Sequence, residues 1–73
     1  MSKITFKKKE VTYEDTVDGL DIEIEGIMRK EYDGRASFYT FEPDWFVSKE
    51  ARDYYDENWE NVQDAILQQF NNQ

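Results

Sequence analysis

The chain has 73 residues, no cysteine, no histidine and a formal net charge of −8. This length predicts one domain, and the missing residue types exclude disulfides, thiol catalysis and the usual zinc ligands. The negative charge disfavours direct binding to nucleic acid or to an anionic membrane, because their phosphate groups would be repelled. No stretch is apolar enough for a membrane span, and no signal-peptide core is present, so we expect an intracellular protein.

The first strand is predicted over residues 3–17, but its apolar pattern changes parity. Ile4 and Phe6 are even-numbered, whereas the next apolar residues, Val11 and Tyr13, are odd-numbered. A β-bulge within the intervening lysine-rich segment would bring all four side chains onto one face of a sheet. Without a bulge, the first two would lie on the opposite face. The sequence leaves both alternatives open.

Two Asp-Gly pairs, Asp18-Gly19 and Asp33-Gly34, flank a segment of alternating apolar residues. Asp-Gly suits a two-residue type I′ turn, because both central residues need a positive φ. The pattern therefore predicts a second strand over residues 20–32 and a third over residues 35–42. Each strand would pair antiparallel with the one before it.

The registers set by these two turns place the apolar residues on one face of the sheet. Two-residue loops would pair Tyr13 with Ile24 in the first hairpin and Met28 with Tyr39 in the second. Gly26 lies on the same face, where its missing side chain leaves room for an aromatic ring or a bend. The residues assigned to this face are Val11, Tyr13, Val17, Leu20, Ile22, Ile24, Met28, Tyr39 and Phe41.

Pro43 is expected to end the pairing of the third strand because it has no backbone N–H. We expect Trp45 and Phe46 to fill one end of the core; an exposed aromatic anchor for a partner is the alternative. Ser48 is a good N-cap for a helix predicted over residues 48–70. Its apolar stripe consists of Ala51, Tyr55, Trp59, Val62, Ile66 and Phe70. The sequence thus predicts an α+β fold, a three-stranded antiparallel meander with one long C-terminal helix packed on one face.

The sequence predicts no catalytic, cofactor-binding or metal-binding site. Histidine and cysteine are missing, so Ser2, Ser37 and Ser48 have no imidazole to activate them, and three isolated glycines do not form a phosphate-binding loop. Asp21, Glu23 and Glu25 alternate along one strand, which spaces their carboxylates about 6.6 Å apart, too far for one ion. We therefore expect a non-enzymatic protein.

The outer face of the predicted helix is the main candidate for a functional surface, because it carries acidic residues from Glu50 to Asp64. No Lys or Arg follows Arg52, so these acids have no cation four residues later. Carboxylates three or four residues apart lie about 4.5–6 Å apart along the axis, comparable to phosphates along a nucleic-acid strand. The acids are Glu50, Asp53, Asp56, Glu57, Glu60 and Asp64.

Two interpretations of this acidic face remain. It is either a solvated surface or a DNA mimic that binds a basic partner protein, such as a nucleic-acid-processing enzyme. Small acidic decoys and inhibitors of phages and mobile elements are similar in size and charge, although no motif here identifies a family.

A second hypothesis is a small homodimerising structural or assembly subunit. A short domain often needs a partner to complete its core, and the sheet face without the helix carries apolar side chains. The candidate interface residues are Ile27, Phe38, Trp45 and Leu67. Acidic residues on the same sheet face oppose this hypothesis, because they would repel each other across a symmetric contact.

Overall fold

The computed structural model describes residues 2–72, which form one four-stranded antiparallel sheet and one helix. The elements are β1 (Lys3–Lys7), β2 (Glu10–Val17), β3 (Leu20–Asp33), β4 (Ala36–Phe46) and α1 (Lys49–Asn71). Each strand pairs with the one before it, in the order β1-β2-β3-β4, and α1 packs on one face of the sheet. The predicted α+β fold is confirmed. The prediction of three strands is wrong, because residues 3–17 form two.

The lysine-rich segment is a hairpin turn and not a bulge. Lys8 and Lys9 form a two-residue loop between β1 and β2, with Lys8 at a φ of 58°. The turn reverses the chain, so that Ile4 lies opposite Tyr13 and Phe6 follows on the same face. Both apolar residues of β1 therefore pack against the core.

The predicted register of the β2–β3 hairpin is confirmed. Val17 lies opposite Leu20, and the two loop residues have the positive φ angles of a type I′ turn, 53° at Asp18 and 79° at Gly19.

The predicted register of the β3–β4 hairpin is wrong by two residues. Its loop is Gly34-Arg35, with only Gly34 at a positive φ, 61°, as a type II′ turn requires at its first central position. Met28 therefore lies opposite Phe41 and not opposite Tyr39. Because the shift is even, every side chain keeps its predicted face.

Pro43 does not end the sheet, contrary to prediction. It pairs with Gly26, and a bulge at Asp44 then lets β4 continue to Phe46. The proline nitrogen lies on the outer edge of the sheet, where no ladder hydrogen bond is lost. Adjacent strand residues point to opposite faces, and the bulge decides which of the two aromatic residues faces the core: Phe46 packs against it, whereas Trp45 is 44% exposed on the open face.

The helix begins as predicted, and the Ser48 hydroxyl accepts a hydrogen bond of 3.1 Å from the Ala51 N–H. Asn58 has non-helical angles (φ −126°, ψ 22°), and its side-chain amide donates to the Tyr54 carbonyl at 3.0 Å. The helix is kinked at this residue. The next residue, Trp59, belongs to the predicted apolar stripe but is 50% exposed and does not pack against the core.

The core lies between α1 and the covered sheet face and is built from apolar side chains of all but the first strand. The buried residues are Val11, Tyr13, Ile22, Ile24, Met28, Phe41, Ala51, Val62 and Ile66. Aromatic rings extend it on both sides. Phe70 lies 5.7 Å from Phe6 and 4.8 Å from Tyr39 between ring centroids, and Tyr55 lies 5.9 Å from Phe46.

Tyr13 is the buried core residue with an ionisable group. Burial raises the pKa of its phenol to about 12, with a further contribution from the Asp15 carboxylate, which accepts its hydrogen bond at 3.3 Å. The neutral phenol is therefore the form that the folded chain stabilises.

Replacing Gly26 with alanine should destabilise the fold by about 1–3 kcal/mol, because β4 crosses this residue too closely for a side chain. An added Cβ would overlap the Glu42 carbonyl oxygen and lie 2.8 Å from Pro43 Cα. Urea unfolding measures the change. Gly19→Asn is the control, since its site is open and Asn tolerates a positive φ. Equal stability of Gly26→Ala and the parent chain would contradict this close approach.

The free energy of unfolding should fall by roughly 2 kcal/mol between pH 10 and pH 12 through Tyr13 alone. The unfolded chain releases this proton near pH 10, whereas the folded chain keeps it to about pH 12. The contribution is therefore complete below pH 10 and is lost as the pH rises. Chemical unfolding of the parent chain and Tyr13→Phe across this range measures the difference, and identical pH profiles would contradict it.

Candidate partner-binding surfaces

The acidic helix face, defined as Glu50, Asp53, Asp56, Glu57, Glu60 and Asp64, is exposed from the first turn of the helix to Asp64. These residues lie on the side of α1 opposite to the buried Ala51, Val62 and Ile66. None of their carboxylates forms an ion pair within residues 2–72, where the ion pairs present join residues of β3 and β4. The face is therefore a surface of uncompensated negative charge.

A second acidic surface lies on the other side of the molecule. The alternating residues Asp21, Glu23 and Glu25 of β3 point away from the helix, onto the open face of the sheet. Glu23 lies directly opposite Glu14 of β2, a like-charge pair that weakens the sheet. The sheet thickness separates these acids from the acidic helix face, so the two surfaces do not merge.

The four candidate apolar interface residues do not form one surface. Ile27, Trp45 and Phe38 lie on the open sheet face with exposed fractions of 40%, 44% and 47%. Ile27 is flanked by Glu10 and Glu42 in the register, and Phe38 lies farther along the hairpin. Leu67 is partly buried against the core, on the helix side of the sheet.

Arg29 forms the ion pairs of the open face. Its guanidinium donates to Glu42 at 2.8 Å and lies 3.8 Å from Glu31. The hydrogen bond and charge of Glu42 raise the pKa of Arg29, which is charged in any case. All three side chains are about half exposed, so this pairing contributes little stability.

Gln63 binds the backbone of the edge strand β4. The Phe41 N–H donates to Gln63 Oε1 at 2.9 Å, and Gln63 Nε2 donates to the Phe41 carbonyl and to the Tyr55 hydroxyl. The amide thereby satisfies both outward-facing groups of one edge residue. Sequence reasoning missed this role; the available signal is an uncharged polar residue next to the buried Val62.

A cleft of about 280 Å³ on the open face runs over the short side chains of Thr5 and Thr12 towards Asp44 and is open to solvent. No group of three or more acidic residues within residues 2–72 is arranged to hold a metal ion. In the same part of the chain, no helix is long and apolar enough to cross a membrane.

Comparison of the chain with protein-family models, curated proteins and solved structures gives no match. Function is therefore inferred from the surfaces alone.

Replacing Gln63 with leucine should destabilise the fold by about 1–3 kcal/mol, because the Phe41 N–H and C=O lose their partner in a half-buried position. Gln63→Glu should also destabilise, since a carboxylate accepts from the N–H but repels the carbonyl oxygen. Urea unfolding measures both. Gln68→Ala, at an exposed glutamine of the same helix, is the control and should change stability by less than about 0.5 kcal/mol. Similar losses in control and variants would contradict the proposed role of Gln63.

Proposed function

We propose that the chain is a non-enzymatic protein-binding module whose acidic helix face binds a basic groove of a partner protein. In this role it acts as a small inhibitor or nucleic-acid-mimicking decoy, and the partner is a protein that normally binds nucleic acid.

The observation that carries this proposal is that the carboxylates of α1 lie on its exposed side, where they take no part in packing against the sheet. The helix presents six exposed carboxylates on one side, and its two cations, Lys49 and Arg52, both lie in the first turn. Beyond that turn, Asp56, Glu60 and Asp64 continue the negative charge, which ends about three turns later at Asp64. A helix side with closely spaced anions is the surface that a nucleic-acid-binding groove attracts.

The alternative, a surface that only keeps the chain in solution, requires no such concentration on one helix. Like charges three or four residues apart repel and cost each pair about 0.2–0.5 kcal/mol. Solubility requires a net charge away from zero, which carboxylates interspersed with lysines supply without this repulsion. The uncompensated arrangement lowers helix stability, which favours a role in binding over a role in solubility.

The test replaces four acids of the helix with neutral amides: Asp53→Asn, Glu57→Gln, Glu60→Gln and Asp64→Asn. We expect loss of partner binding together with an unchanged or slightly raised unfolding free energy, because the helix loses its internal repulsion. Partners are captured on tagged protein from nuclease-treated extract, eluted by rising salt and identified by mass spectrometry. Duplex DNA should then compete with the chain for the captured protein.

The matched control removes the same number of charges from the open sheet face: Glu14→Gln, Asp21→Asn, Glu23→Gln and Glu25→Gln. Both variants have a net charge of −4, since four carboxylates are lost from −8. Binding that depends on net charge alone would fall equally in both. The proposal predicts loss only in the helix variant, and an unchanged set of captured proteins in that variant would refute it.

Face-to-face homodimerisation through the open sheet face has less support. That face carries Glu14, Asp21, Glu23 and Glu25, which would oppose their own copies in a symmetric contact. A different part of the molecule, the free edge of β4, offers a contact between two copies.

A further inference from the structure

The β3–β4 hairpin extends past the rest of the sheet and exposes an edge. The chain measures 43 Å in its longest dimension, and Phe70, near the end of the helix, packs its ring against Tyr39 of this hairpin at a centroid distance of 4.8 Å. Beyond this point both sides of β4 are solvated. Phe38 is 47% exposed and Tyr32, on the neighbouring strand, is 74% exposed.

The hydrogen bonds of Phe41 determine which backbone groups of this edge are free. Phe41 bonds Gln63 with both its N–H and its C=O, so its pairing with Met28 is of the non-hydrogen-bonded kind. Hydrogen-bonded and non-hydrogen-bonded pairs alternate along an antiparallel ladder. Tyr39 and Ser37 therefore also direct their N–H and C=O outwards, and these groups have no partner among residues 2–72.

We propose that residues 36–40 of β4 pair antiparallel with the same residues of a second copy of this chain, about a two-fold axis at Phe38. The Gly34-Arg35 turn limits this segment at one end and the Gln63 side chain limits it at the other. Phe38 is its central residue, so the segment is complementary to itself.

The side chains of the segment suit this register. Ser37 of each copy lies opposite Tyr39 of the other and exchanges both backbone hydrogen bonds with it. The small serine leaves room for the tyrosine ring on the helix side of the sheet. On the open side, the two Phe38 rings lie opposite each other in a non-hydrogen-bonded pair, where side chains approach most closely.

Charge permits the contact here and opposes it at the other edge. The last helical turns near this part of β4 contain no charged residue after Asp64, so the two helices do not repel at the axis. The edge strand β1 instead presents Lys3 and Lys7 on the same face, on either side of Thr5. A two-fold pairing of β1 about Thr5 would place these lysines opposite each other, which is unfavourable.

Sedimentation equilibrium over a concentration series, at an ionic strength of about 0.15 M or more to screen the net charge, tests the proposal. We expect a monomer–dimer equilibrium in the parent chain. Ser37→Pro removes an outward N–H while leaving the bonds to β3 intact, and should weaken dimerisation at least about tenfold. Ser37→Ala keeps the N–H and a small side chain and should dimerise like the parent.

A second pair of variants serves if Ser37→Pro unfolds. Phe38→Lys and Phe38→Glu should each be monomeric, because like charges meet at the axis, and their equimolar mixture should form a heterodimer. Ile27→Lys, on the same face but outside the segment, should leave dimerisation unchanged. A parent chain that remains monomeric throughout the series would overturn the proposal. So would a dimer that persists in Phe38→Lys, or a mixture that fails to associate.

Discussion

A single helix must cover one face of a four-stranded sheet, and this mismatch in width shapes the rest of the molecule. Four strands span about 14 Å between their outer axes, whereas a helix is about 10 Å across. Large rings close the difference: Phe70 reaches Phe6 on one edge strand and Tyr39 on the other, and Tyr55 reaches Phe46. Because no second helix exists in residues 2–72, the opposite sheet face stays open.

The same constraint leaves the edges of the sheet only partly protected. The helix passes close enough to β4 for Gln63 to bond Phe41, but no side chain of the described chain does the same for Ser37 or Tyr39. At the opposite edge, the lysines of β1 discourage pairing through their charge. The β1 edge is thus protected by charge repulsion, whereas the β4 edge is protected only at Phe41, where the helix supplies Gln63.

The sequence predicted the features that depend on local chemistry. Asp18-Gly19 identified its turn because both residues tolerate positive φ, and Ser48 identified the helix start because its hydroxyl caps the first turn. The Lys8-Lys9 turn escaped prediction because neither residue favours a positive φ, so tertiary pairing decides the conformation there.

Other features could not be predicted from the sequence, because they depend on residues that are distant along the chain but adjacent in the fold. Pro43 is tolerated within β4 only because its nitrogen lies on an edge, and Gly26 is required only because β4 crosses it closely. Of the candidate sites, exposure of the acidic helix face followed from helical periodicity alone. The free edge of residues 36–40 in β4 could not be predicted from periodicity, because it depends on Gln63 bonding Phe41 and no residue closer to the hairpin turn.

The acidic side chains do not contribute to the core, so they remain available for binding. The two proposed binding surfaces, the acidic helix face and the free edge of β4, are connected through the geometry of the dimer. The core contains no charged side chain, and the described ion pairs are exposed. In a dimer paired through β4, the two-fold axis is perpendicular to the sheet, so both helices lie on the same side. Their acidic faces then lie on the same side of the dimer, separated by the uncharged last turns of the two helices, and a basic partner that contacts both faces would bind the dimer more tightly than the monomer.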